Sequence, residues 1–140
     1  MKFDICFAEI QHTEWLAMHD LHVPPHWVKR CVANSEYIIA LTDADPVGFL
    51  RFSWFWGALP YMDMIQVSPE YRRCGIGRSL FRFWETKMRE CHATTLMTSS
   101  VASEQEPQAW HRSNGFRESG SISFGAFQPE AEVFLIKDIR

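Results

Sequence analysis

The stretch Met64-Ile65-Gln66-Val67-Ser68-Pro69-Glu70-Tyr71-Arg72-Arg73-Cys74-Gly75-Ile76-Gly77-Arg78-Ser79-Leu80 decides how the rest of the chain is read. Residues 61–67 suit a strand, and Ser68-Pro69 stops it because proline cannot donate to a ladder. A basic glycine loop follows. Beyond it Leu80, Phe81, Trp84, Met88 and Cys91 share one helical face, with Arg78, Arg82, Glu85 and Arg89 on the other. A strand, a tight loop and a helix gather free backbone N–H groups and the positive end of a helix dipole at one point, which suits phosphate oxygens. Arg72, Arg73 and Arg78 reinforce it. Glycine is expected at 75 and 77 because a Cβ would hold the main chain off the phosphates or bar a positive φ. A Gly-x-Gly alone also describes an ordinary turn before a helix. The Walker pattern lacks its Gly-Lys-Ser/Thr ending, and a dinucleotide fingerprint wants a third glycine where Leu80 stands.

Upstream, residues 37–41 read as a strand, 43–46 as a turn, 47–55 as the returning strand and 57–60 as a second turn, so the centre is an antiparallel meander ending in strand 61–67. Residues 1–8 suit a first strand. Residues 10–21 carry Trp15, Leu16, Met18 and Leu21 at helical spacings, and Pro24-Pro25 starts a second helix with Trp27, Val28, Cys31 and Val32 on one face. Downstream, 94–99 is a strand and a helix runs to Asn114-Gly115, where Gly115 suits a left-handed cap. That helix starts either at a capping box of Ser103 and Glu106 or nearer Pro107. Residues 116–124 and 131–139 finish the chain as strands around a loop at 125–129.

A length of 140 residues, 46% of them hydrophobic and 22% charged, predicts one folded domain, residues 1–140, rather than a disordered segment. The net charge of -3 supplies no broad cationic field and argues against nucleic acid as a partner. No apolar run reaches the roughly 18 residues of a membrane span, so a soluble cytoplasmic protein is expected. Cys6, Cys31, Cys74 and Cys91 form no CxxC pair and read as free thiols. Cys74 lies among arginines before a helix, surroundings that lower a thiol pKa, yet nothing aims it at a reacting group. His19, His22 and His26 have helical spacing, but Pro24-Pro25 interrupts the helix between them, so no metal site is expected.

The stretch 64–80 resembles the acyl-CoA signature of the GNAT superfamily of N-acetyltransferases, its Arg72-x-x-Gly75-x-Gly77 core matching position by position. Trp110-His111-Arg112-Ser113-Asn114-Gly115-Phe116 is similar to that superfamily's second signature, and the order of elements agrees along the chain. The resemblance implies an α+β fold with three α/β/α layers: a mixed, mostly antiparallel sheet splayed at the fourth strand and flanked by about four helices. It implies acetyl-CoA as cofactor, its pantetheine arm on the main chain of Ile65, Gln66 and Val67. Its pyrophosphate would lie on the loop of Arg72, Arg73, Cys74, Gly75, Ile76, Gly77, Arg78 and Ser79, with Trp110 and His111 closing over the thioester.

Transfer to an amine needs a neutral nitrogen, whereas a lysine-like amine has a pKa of about 10.4, so a base is required. Asp63, on the strand face of Tyr61 and Ile65, is the candidate, with Glu104 behind it. Many relatives carry a tyrosine where His111 stands, and a family asparagine that often contacts the cofactor is missing, with Ser103 or Glu104 nearby instead. His111 is thus the second catalytic candidate, as base, acid or hydrogen-bond donor. Trp54, Trp56 and Tyr61 are the candidate substrate walls, suited to an apolar or cationic amine. The expected function is direct acetyl transfer from acetyl-CoA to a primary amine of a small molecule or protein. The alternative is an acyl-CoA-binding module with little or no catalysis. Whether an edge strand pairs with a second subunit, making a homodimer, stays open.

Overall fold

Thr42 pairs with Asp45 across a two-residue turn in which Asp43 and Ala44 both take positive φ, 48° and 70°. Paired left-handed residues have the twist that joins antiparallel strands, and here they connect β2 (Tyr37–Thr42) to β3 (Asp45–Phe55). Pro46 therefore lies in the strand rather than the turn, and a register shift between Ala40 and Leu41 accommodates it. The computed structural model describes residues 2–140, and the chain divides into two compact units, Met1–Ser53 with Met64–Lys87 and Trp54–Asp63 with Met88–Arg140.

In the first unit β1 (Asp4–Phe7) lies antiparallel to β2, with Ile5 opposite Ala40. It is shorter than the strand expected over 1–8, and Met1 lies outside the described residues. The helix expected over 10–21 is a single 3-10 turn, Ile10–His12, followed by α1 (Thr13–His19). Leu16 alone of its expected stripe is fully buried; Met18 and Leu21 are 66% and 79% exposed. The break has a tertiary cause. Asp20 leaves the helix at φ -90° and ψ 85° because its buried carboxylate is held by Arg51 and Tyr37. α2 (Pro25–Ala33) buries Val28 and Cys31, while Trp27 stays outside with Arg30 4.5 Å over its ring. α3 (Ile76–Glu90) buries Leu80, Phe81 and Trp84, with Phe52 6.1 Å from Trp84 between ring centroids. Cys91, expected on that face, lies beyond the helix and is exposed.

In the second unit Trp56 and Gly57, at φ 57° and 68°, turn the chain into β4 (Leu59–Val67), so this strand begins before residue 61. β5 (Thr95–Val101) runs parallel to β4, with Tyr61 opposite Met97 and Met62 opposite Thr98. That pairing ends at Met62, whereas β4 continues to Val67. After α4 (Gln105–Ser113) comes β6 (Arg117–Ile122), and β7 (Glu132–Asp138) inserts between β5 and β6, antiparallel to both. The strands follow the order β1-β2-β3-β4-β5-β7-β6. Leu96, Thr98 and Ser100 point to the buried face of β5, so Met97 and Ser99 occupy the more open one.

The capping box expected of Ser103 and Glu106 does not form: Glu104 precedes α4, and the Ser103 hydroxyl donates to Glu130 Oε2 at 2.6 Å. Gly115, at φ 97°, does end the helix as read, with its N–H on the Arg112 carbonyl and that of Phe116 on the His111 carbonyl. All four cysteines are free thiols. Among the described residues no helix is long and apolar enough to cross a membrane.

Candidate active site

The basic glycine loop lies within the first unit. After β4, Ser68 donates its N–H to the Val47 carbonyl, and a 3-10 turn, Pro69–Tyr71, leads into the loop. Arg73 and Gly75 take positive φ, 64° and 84°, with Cys74 between them outside that region. Alternation of hand along a short segment is the geometry of an anion-binding nest. α3 opens immediately afterwards, with the Ser79 N–H on the Gly75 carbonyl. The first N–H groups of a helix have no intrahelical acceptor, and no acidic side chain stands in this first turn to compete for them. A Cβ on Gly75 would meet nothing within 4 Å, so the space over the turn is open. The two glycines thus differ. Gly75 supplies the left-handed residue, whereas Gly77 lies inside the helix and outside the positive-φ region.

Arg72, Arg73, Cys74 and Arg78 are exposed around this turn, and Arg72 Nε also donates to the Val67 carbonyl at 3.2 Å, tying the loop to the end of β4. Ile65 and Val67 are half-buried. The Gln66 side chain donates from Nε2 to the His19 carbonyl at 3.4 Å. One residue the sequence reading missed shapes this edge: a Cβ on Gly48 would stand 3.0 Å from the Gln66 carbonyl oxygen, so glycine lets β3 come close there.

In the second unit Tyr61 and Asp63 alternate with buried Met62 and share the more open face. Tyr61 Oη is 2.5 Å from Ser99 Oγ, Ser99 donates to Glu132 Oε2 at 2.6 Å, and Gln128 Nε2 donates to Glu132 Oε1 at 3.0 Å. The Tyr61 and Phe134 rings lie 6.1 Å apart at 30°. Ser99 and Glu132 carry no sequence motif, and only the β4-β5-β7 pairing brings them to Tyr61. Trp56 is 86% exposed at the hairpin tip, 4.5 Å from Phe55, while Trp54 is half-buried in β3. The structure thus gives Tyr61 and Trp56 different neighbours.

His111 lies on α4, 6% exposed, edge-on to Trp110 and Phe116 at 5.7 and 6.0 Å. Burial pushes its imidazole down to about 4, and Nδ1 has no hydrogen-bond partner. It is neutral at physiological pH and can donate through a single N–H. Gln108, one turn earlier, is buried and spans the Val101 and Ala102 carbonyls at 3.1 and 3.0 Å, fastening α4 to the end of β5. Glu104 is exposed. Of the three histidines set aside as ligands, His19 stacks on Trp15 at 4.1 Å, with Nδ1 2.8 Å from the Trp15 carbonyl oxygen.

The class, an acetyltransferase, and with it the family come from comparison with known proteins. The acetyltransferase (GNAT) domain model matches residues 33–118, more than half of the chain, so the chain belongs to the GNAT acetyltransferase family. The fold is similar to that of Ard1 from Thermoplasma volcanium, with 14% identity, a TM-score of 0.86, and 100% of this chain and 99% of that one covered. It is also similar to a chain of the NatC complex bound to Gag peptide and CoA, with 14% identity, a TM-score of 0.80 and 100% of both chains covered. A third likeness is to ribosomal-protein-alanine N-acetyltransferase from Brucella melitensis, with 20% identity, a TM-score of 0.79, and 97% and 99% covered. At these identities the likeness speaks for the fold. No curated protein matches the chain. The α+β class, the mixed sheet and the four α-helices among the described residues agree with the expectation drawn from residues 64–80.

Proposed function

We propose that this chain is an acetyl-CoA-dependent N-acetyltransferase, a single domain that transfers an acetyl group directly to a primary amine of a small molecule or protein. The observation that carries the reading is the turn at Arg73 and Gly75, opening onto the first turn of α3. The family match at 33–118 runs through both compact units, which supports the one-domain reading. The residues present fit the cofactor. The main-chain amides of residues 72–78 with Arg72, Arg73, Arg78 and Ser79 would hold its pyrophosphate, and the main chain of Ile65, Gln66 and Val67 its pantetheine arm. Trp110 and His111 take their cofactor role from the family resemblance. When bound, acetyl-CoA supplies a thioester whose acetyl carbon accepts the amine nitrogen as the thiolate leaves.

The protein's own task is to present a neutral amine. Asp63 is our candidate base, on the face it shares with Tyr61, and Trp54, Trp56 and Tyr61 are candidate contacts of the acceptor. His111, neutral, is assigned a hydrogen-bond donor's role rather than that of an acid. The folds of the chain from the peptide-bound NatC complex and of the ribosomal-protein-alanine enzyme support a protein amine as one acceptor class.

A second reading, an acyl-CoA-binding module without turnover, is favoured by one observation: His111 is poorly suited to protonate a leaving group at neutral pH. One experiment separates the two. Conversion of acetyl-CoA to CoA is followed chromatographically over polyamines, amino acids, aminoglycosides, arylamines and peptides, with cofactor binding measured on the same sample. Acceleration by one amine class supports the enzyme; binding without turnover supports the module; no binding overturns both.

A further inference from the structure

We propose that Glu132, acting through Ser99, fixes the Tyr61 hydroxyl as a hydrogen-bond acceptor toward the N–H of the amine substrate. This rests on the N-acetyltransferase reading and adds two positioning residues that no motif marks. Three distances set the direction of the chain: Tyr61 Oη to Ser99 Oγ 2.5 Å, Ser99 Oγ to Glu132 Oε2 2.6 Å and Gln128 Nε2 to Glu132 Oε1 3.0 Å. An ionised carboxylate only accepts, and serine has one proton. Ser99 gives that proton to Glu132, so Tyr61 must donate to Ser99. The Tyr61 oxygen then turns lone pairs, not its proton, toward any further partner. Such an oxygen recognises N–H donors, protonated amines included, and offers nothing to an acceptor atom.

The sheet holds the chain in place. Ser99 pairs with Phe134, Glu132 stands two residues before Phe134 on the same strand face, and Tyr61 pairs with Met97, two residues before Ser99. All four side chains therefore share one face, the face of Asp63. The Tyr61 ring is held against Phe134, and Gln128 fixes the far end of the carboxylate while also donating to the Glu130 carbonyl at 2.9 Å. Glutamine at 132 would set a donor against one of two donors, Ser99 or Gln128, and the order of the chain would be lost.

The test compares Ser99→Ala, Ser99→Thr, Glu132→Gln and Tyr61→Phe with the wild-type protein, using the amine that the wild type acetylates best. CoA affinity and thermal melting of the same samples are the controls. Ser99→Ala, Glu132→Gln and Tyr61→Phe should each lower kcat/KM for the amine about tenfold with CoA affinity unchanged. Ser99→Thr keeps the hydroxyl and should stay within about twofold of wild type. The Ser99→Ala/Glu132→Gln double variant should be no slower than either single one, since one chain is broken once. Equal rates for the Ala and Thr variants, or losses that multiply in the double, overturn the proposal. If Ser99→Ala melts before assay, Glu132→Gln with Tyr61→Phe decides by the same rule. A wild-type protein that binds CoA yet acetylates no amine overturns the enzyme reading and this proposal with it; an active wild type with unaffected variants overturns the proposal alone.

Discussion

Asp20 Oδ2 stands 2.7 Å from Arg51 Nε with both side chains buried, and the same oxygen accepts the Tyr37 hydroxyl at 2.6 Å. This ion pair joins the end of α1 to β3 in the interior of the first unit. Burial and the Asp20 carboxylate together push the Tyr37 phenol well above its usual pKa. Asp20 Oδ1 has no partner, so the carboxylate is already under-satisfied before any mutation. Arg51→Met would leave its charge uncompensated and should cost about 3–5 kcal/mol. The Asp20→Leu/Arg51→Met double variant, which removes both charges, should be markedly more stable than Arg51→Met in urea unfolding at pH 7.

The proposed phosphate role of the glycine loop makes its own prediction. Gly75→Val forces a β-branched residue to φ 84°, at a backbone cost of about 1–2 kcal/mol, and fills the open space over the turn. Gly77→Val places a branched side chain at the second residue of α3 without that strain. Both should raise the Kd for CoA at least about tenfold, the loss of roughly one charge-assisted hydrogen bond. The far-UV circular dichroism of Gly77→Val should stay unchanged. Intact affinity in calorimetry would remove the phosphate assignment.

His111 links the site to pH. Its folded pKa, lowered by burial to about 4, lies below that of the unfolded chain, so as pH falls the unfolded state takes up a proton first. The stability tied to neutral His111 is complete above the unfolded value of about 6.5, declines as pH drops through 4, and is worth about 3 kcal/mol at most. His111→Phe should therefore flatten the acid limb of stability between pH 7 and 4.5 in urea melts. A limb of unchanged slope would show that other groups carry it.

Asp63→Asn separates chemistry from binding. If Asp63 takes the amine proton, the variant should lose about 100-fold in kcat at neutral pH, the lower end of what a positioned base supplies. CoA affinity should be unaltered, and raising the pH should restore part of the rate by supplying unprotonated amine. An unchanged rate would remove Asp63 as base and leave the acceptor amine to lose its proton to water.

The meander, the amphipathic helix beginning at Ile76 and the glycine cap at Gly115 could be read because each is written in a local pattern: alternation, a 3.6-residue period, one residue able to take positive φ. The α1 region misled because helical spacing of Met18 and Leu21 says nothing of a carboxylate at 20 that must leave the helix to reach Arg51. The Ser103 cap failed for a related reason, its hydroxyl finding Glu130, 27 residues away, instead of the backbone three residues on.

By itself, then, the sequence determined the order of elements, the glycine loop with its arginines, and the family resemblance, all properties of neighbours along the chain. Tertiary structure alone decided that His111 is buried and neutral, that Asp20 and Arg51 meet in the interior, and that Tyr61, Ser99 and Glu132 form one hydrogen-bonded line. The physical reason is distance in sequence. A pKa depends on the solvent that packing removes, and a hydrogen-bond chain across β4, β5 and β7 joins residues up to 71 positions apart, which no local period encodes.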